Sequence, residues 1–293
     1  MKGFLNAVVS GTVFCLAVTC SHAAEVSWTG CGVTKKAFMS ELAAAYESKT
    51  ATLVKLSGGG ATKGIRAASA GTADMGGSCR VRLKDVNGEI HPEERDAELV
   101  QVAWDAMVVV VNPINPVSDI SMENLKKVYD GEISNWNEIG GVDRPIGIVA
   151  RAGKTNGVGY MYRHLVFGDA DYTIKARALE VKNTGPLEKK VEKIQTAIAI
   201  DGISSAKKRN LKFLSLDGVA PTKENIASGR YPLFRPLYIT INKNNPSAEA
   251  KKFIQFALSP EGQAIISEQG TVNLSEGRNL TDMWQKKIAG VGL

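Results

Sequence analysis

Three short segments pair small residues with a hydroxyl where a helix would begin: Gly32-Val33-Thr34, Gly60-Ala61-Thr62 and Lys154-Thr155-Asn156. A helix N-terminus leaves its first N–H groups without intrahelical partners and carries partial positive charge, so it attracts anions. Small residues let an anion approach the backbone closely, and threonine hydroxyls add donors. Ordinary capping explains any one of these segments. Three in one chain point to an oxyanion site. Arg151 stands four residues before Thr155 at the end of an apolar run. From there its planar donor fork reaches the same anion, although alone it reads as readily as a surface ion pair.

Other chemistry is set aside on the residues themselves. Gly153-Lys154-Thr155 resembles the end of a nucleotide phosphate loop, but the glycine required five residues earlier is Ile148, with Gly147 one position off. A nucleophilic role for Cys79 needs a base within hydrogen-bond reach. His91, beside Pro92 in a charged loop, and His164, on a helix after Asn156, are poorly placed to supply one. The expectation is a binding protein rather than an enzyme, with no metal and no cofactor.

These loops must be held by strands and helices. Short apolar runs alternate with helical patterns, which predicts an α/β fold with largely parallel strands. Strands are expected at Val26–Trp28, Leu53–Leu56, up to Met75–Cys79, Trp104–Val111, Pro145–Ala150, Ala197–Ile200, Phe213–Leu216 and Pro236–Asn242. Helices are expected at Lys36–Lys49, from Gly60 to about Ala70, at 121–130, from Val158 to Phe167, at Ala248–Leu258 and near Thr281–Ile288, while Lys182–Lys193 reads only as a charged stretch. The apolar segments 106–111 and 236–241 mark changes of lobe. Lobe 1 is then 25–105 plus 242–293 and lobe 2 is 112–235, with a ligand cleft between their strand-to-helix loops.

Composition agrees with an exported globular protein. The chain has 293 residues, 44% hydrophobic and 23% charged, with a formal charge of +6. That excess is too small and too scattered for nucleic-acid binding, and no run of five like charges occurs. Lys2, the apolar run Ala7–Val18 and the small residues before Glu25 read as a signal peptide over 1–24, cleaved after Ala23 or Ala24. Lipid attachment at Cys20 is the competing reading. Either way the folded part is expected in the periplasm.

Four stretches then resemble the phosphate-binding proteins of ABC-type uptake systems. They are Ser57-Gly58-Gly59-Gly60 with Gly71–Ser78; Val128–Trp136 (VYDGEISNW); Pro236-Leu237-Tyr238-Ile239; and Ser259-Pro260-Glu261-Gly262-Gln263. The resemblance implies a type II, two-lobed periplasmic binding protein fold with discontinuous lobes joined by hinge strands. It also implies a monomer that captures phosphate or a similar tetrahedral oxyanion and delivers it to an ABC permease. By position, the ligand set it implies is Thr34, Gly60, Ala61, Thr62, Ser78, Cys79, Arg151, Thr155, Asn156 and Gly157. The family's glycine and threonine after the loop serine are Asn156 and Gly157 here, and Ala61 stands where a serine usually donates.

Cys79 departs most: close relatives of the best-known member place there an aspartate that accepts the proton of hydrogen phosphate, while other branches have serine. A thiol is a weak acceptor, so sulfate, arsenate, molybdate or a thiol-ligated metalloid, or a sensing role, are alternatives. Cys31 and Cys79 sit on neighbouring cleft loops, where export would permit a disulfide; a thiol pair touching the ligand is the other reading.

Overall fold

The computed structural model describes residues 24–291. The expected signal segment and Cys20 lie outside the described residues, save Ala24 at the segment's end.

Three strands open the chain. β1 (Glu25–Gly30), β2 (Leu53–Gly58) and β3 (Met75–Ser78) are parallel, with β1 in the middle. β4 (Ala97–Val111) is a long strand whose residues Val102 to Val111 are all buried. Burial on both faces explains its unbroken apolar run, since no alternation is needed. Beyond it, β5 (Gly147–Arg151), β6 (Ala178–Val181), β7 (Ala197–Gly202) and β8 (Phe234–Asn242) extend a ten-stranded sheet whose main path runs β2-β1-β3-β8-β4-β7-β5-β6, with two short strands at 212–213 and 272–273 also paired to β4.

β4 belongs to both halves of this sheet. Ala97–Ala106 pair with β8, whereas Met107–Val111 pair with β7. β4 thus changes its pairing partner on this side at Ala106–Met107. β8 pairs with the lobe 1 half along its whole length, from Phe234 opposite Ala106 to Asn242 opposite Ala97. The expected second hinge at 236–241 falls within this strand, which pairs with Ala97–Ala106 throughout.

Helix α1 (32–50) follows β1 and contains a wide turn at Lys35–Met39. α2 (Gly60–Ser69) buries Ala61, Ile65 and Ala68, a spacing that puts them on one helical face. α3 (Met122–Asp130) buries Leu125, Val128 and Tyr129 in the same way and is capped by Ser121. α4 (157–167) starts at Gly157, where Asn156 Oδ1 accepts from Gly159 N at 2.7 Å. α5 (Thr184–Lys193) occupies the stretch that reads only as charged, and it buries Leu187, Glu188 and Val191. Thr184-Gly185-Pro186 resembles a turn, but proline in a first helical turn breaks no intrahelical bond. α6 (Ala248–Leu258) and α7 (Pro260–Glu268) pack back onto lobe 1, and Trp284 of α8 (Leu280–Val291) packs against Phe234.

Two fully buried ion pairs stiffen the region around β3 and β4. Arg235 on β8 meets Asp105 on β4 at 2.9 Å, and Asp105 also accepts from Ser204 N and Oγ. Arg80 meets Glu94 through both terminal nitrogens, at 2.6 and 2.9 Å. Both guanidiniums therefore have fixed positions.

Candidate anion-binding cleft

A cleft of about 280 Å³ lies between the lobes. Four helix N-termini reach its wall: Gly32-Val33 of α1, Gly60-Ala61 of α2, Gly157-Val158 of α4 and Thr184-Gly185 of α5. Each helix follows a strand of the sheet, so parallel β-α units aim their N-termini at one place. The residues before α2 and α5, Gly59 and Asn183, offer no side-chain cap. Their first N–H groups are free of the competition that capping would impose. Gly60 has φ of 87°, a left-handed conformation that suits glycine at this turn.

The charge in the cleft is cationic. Lys36, Arg151 and Arg209 line it, and no acidic side chain does among the described residues. Lys36 and Arg209 both hold buried Glu188 on α5, each at 3.0 Å. Arg151 ends β5, is 7% exposed, and donates from Nη1 to Thr184 Oγ1 at 3.0 Å while its Nε has no hydrogen-bond partner. Its buried neighbour Asp201 attracts it, although burial first, and the charge of Glu188 second, push the Asp201 carboxyl well above the usual range. Arg151 thus brings a little-exposed charge to the cleft wall.

Two sulfurs form part of the floor. Cys31 follows β1 and Cys79 follows β3, neighbouring parallel strands, and Cys31 N donates to Gly77 O at 3.1 Å. The expected disulfide is not formed: both are free, buried thiols in hydrogen-bond contact. Burial opposes ionising Cys31. The Cys79 thiol, the Thr34 hydroxyl and N–H and the Arg235 charge together outweigh it and bring Cys31 down to about 6. The same contact with Cys31, together with burial, pushes Cys79 well above the usual thiol range. Near neutral pH the pair thus holds one proton, with Cys31 as the thiolate. Its position as N-cap of α1 adds to this.

Of the residues expected to bind ligand, Gly60, Ala61, Cys79, Arg151 and Gly157 line the cleft. Thr34, Thr62, Ser78, Thr155 and Asn156 do not. The Thr34 hydroxyl is buried and donates to Cys31 O at 3.0 Å, and Ser78 Oγ donates to Arg80 O at 2.8 Å. Asn156 caps α4 and donates to Ala152 O and Gly153 O. Thr62 Oγ1 donates at 2.7 Å to the carbonyl of Thr155 in the other lobe, and Arg80 Nε donates to that carbonyl at 2.9 Å. These residues build and latch the cleft instead of lining it. The sequence reading missed Lys36, Arg209, Arg80 and the start of α5. The run Gly77-Ser78-Cys79-Arg80 held the one signal for Arg80, a charged residue ending a chain of small ones.

Residues 23–261 match the family described as PBP superfamily domain. The chain belongs to that family. Among its relatives, the phosphate-binding protein PstS of Borreliella burgdorferi is 29% identical over 188 residues, covering 62% of this chain and 67% of its own. PstS of Bacillus subtilis is 27% identical over 230 residues, covering 76% and 72%. An ABC transporter substrate-binding protein of Clostridium perfringens, solved with bound phosphate, superposes with a TM-score of 0.73 at 26% identity, over 85% of this chain and 99% of that one. The match to these proteins also bears out the two-lobed binding-protein fold.

At Gly157 this PBP-superfamily chain leaves no room for a side chain between its lobes. A Cβ there would lie 2.4 Å from Cys79 Sγ and 3.1 Å from Ala61 Cβ. Replacing Gly157 by valine is therefore expected to wedge α4 away from α2. Small-angle scattering should show a larger radius of gyration, and an unchanged radius would mean that this contact does not set the lobe spacing.

Proposed function

We propose that the chain is an extracytoplasmic, monomeric phosphate-binding protein that closes its lobes over the anion and hands it to an ABC permease. Its location would be the periplasm, and nucleic acid would not be a partner. The observation that carries this reading is the buried Arg151, its Nε without a hydrogen-bond partner, where four helix N-termini converge. Phosphate loses hydration on entry, and fixed donors must replace that shell. In this reading the N–H groups at Gly32-Val33, Gly60-Ala61, Gly157-Val158 and Thr184-Gly185 supply them, with Arg151 as the charged fork.

A cleft built only of donors would accept sulfate as readily as phosphate. Cys31 and Cys79 supply what it otherwise lacks. The Cys31 thiolate is an acceptor on the floor, and hydrogen phosphate has a proton to give it, whereas sulfate has none. Arg235 beneath the pair and Arg151 in the cleft offset part of the added negative charge.

Calorimetry on the reduced protein tests the reading. The expected result is one phosphate bound per chain, displaced by arsenate and not by sulfate. Heat-silent phosphate titrations, confirmed by equilibrium dialysis without retention, would overturn it.

A further inference from the structure

The thiol pair has a chemistry that phosphate capture does not use. Two free, buried sulfurs that line one cleft from the ends of two adjacent strands can act as a dithiol chelate. Such a pair suits a thiophilic centre needing two sulfur bonds. The surroundings decide which kind. A metal cation would face Lys36, Arg151 and Arg209 on entry, and no cluster of three His, Cys, Asp or Glu that could complete its shell exists among the described residues. A neutral hydroxide of a trivalent metalloid meets neither obstacle. Its remaining hydroxyl would find donors in Arg151 and in the N–H groups at Gly60-Ala61.

We propose that Cys31 and Cys79 form a binding site for trivalent arsenic, taken up as arsenous acid from the cleft side. The reaction is As(OH)₃ with two thiols, giving a bis-thiolate arsenic that keeps one hydroxyl, and two waters. Two As–S bonds form and two As–O bonds break. Each departing hydroxide leaves as water, taking one proton from the Cys79 thiol and the other from solvent when Cys31 begins as thiolate. Arsenic remains trivalent and nothing is oxidised. The inference does not rest on phosphate being the transported ligand, because it needs only the two sulfurs and their place in the cleft wall.

The test uses the full chain with Cys15→Ser and Cys20→Ser, which leaves Cys31 and Cys79 as its cysteines. The reduced protein is mixed with one equivalent of sodium arsenite. Native mass spectrometry is expected to show one arsenic per chain, and X-ray absorption to show two sulfurs on it. Adding Cys31→Ser or Cys79→Ser should lower the affinity ~10²-fold or more, because the second bond forms at the high effective concentration of a chelate. Thermal unfolding of each variant shows that it is folded. Absence of an adduct at one equivalent, fewer than two sulfurs on arsenic in the intact pair, or equal affinity in a folded single-serine variant would each overturn the proposal. The sulfur count is made on a protein with both thiols, so it decides the matter even if a serine variant does not fold.

Discussion

Replacing Arg151 by alanine lowers phosphate affinity at least tenfold, about 1.4 kcal/mol or more, with the fold retained. The argument is electrostatic. Arg151 is 7% exposed, and burial together with Glu188 makes its carboxyl neighbour Asp201 harder to ionise. Its attraction for an anion is therefore not fully screened by water. Removing it deletes a charge-assisted contact and also the donor to Thr184 Oγ1, which helps fix the start of α5. Arg151→Lys should fall between the two, because an ammonium keeps the charge and loses the planar fork. Calorimetry of the three proteins checks this, and alanine affinity equal to the parent's would remove Arg151 from the site.

Asp105→Ala is the most destabilising single change expected, at about 3–5 kcal/mol, because it leaves a buried guanidinium without its counter-charge. Arg235 and Asp105 have fully buried side chains, and Arg235 also donates to the Cys79 carbonyl at 3.1 Å. The loss thus reaches the cleft floor as well as the β4–β8 pairing. For a chain of this size the midpoint of thermal unfolding should drop on the order of 10 °C. Lys55→Ala is the matched control. Its partner Glu25 is 46% exposed, and surface pairs contribute about 0–1 kcal/mol. Denaturant titration compares them, and a similar small loss in both would show that water reaches Asp105.

The elements of the fold were legible where burial is periodic. Ala61, Ile65 and Ala68 announce α2, and the unbroken run to Val111 announces a strand buried on both faces. α5 was not legible, because Gly185 and Pro186 imitate a turn and its Lys/Glu-rich body has only a narrow apolar stripe. The site divides along a different line. Loops that place backbone at the cleft can be found from small residues, so Gly60, Ala61 and Gly157 were visible. Which hydroxyls face the ligand cannot be found that way. Thr34 and Ser78 turn inward to nearby carbonyls, a choice of rotamer and not of residue type. Lys36 and Glu188, 152 positions apart, meet only because the lobes do.

The Thr155 carbonyl, gripped by Thr62 and Arg80 from the opposite lobe, separates two quantities that a cleft of bare anion contacts would tie together. Contacts to the anion set how favourable capture is. Contacts from lobe to lobe oppose reopening whatever the anion, so they act on residence time, where most differences among related complexes arise. Because the accepting group is backbone, side chains at 155 can vary without loosening the grip, while a change at 62 or 80 would hasten escape. Such a protein can tune how long it holds its cargo before meeting a permease without altering what it chooses to hold.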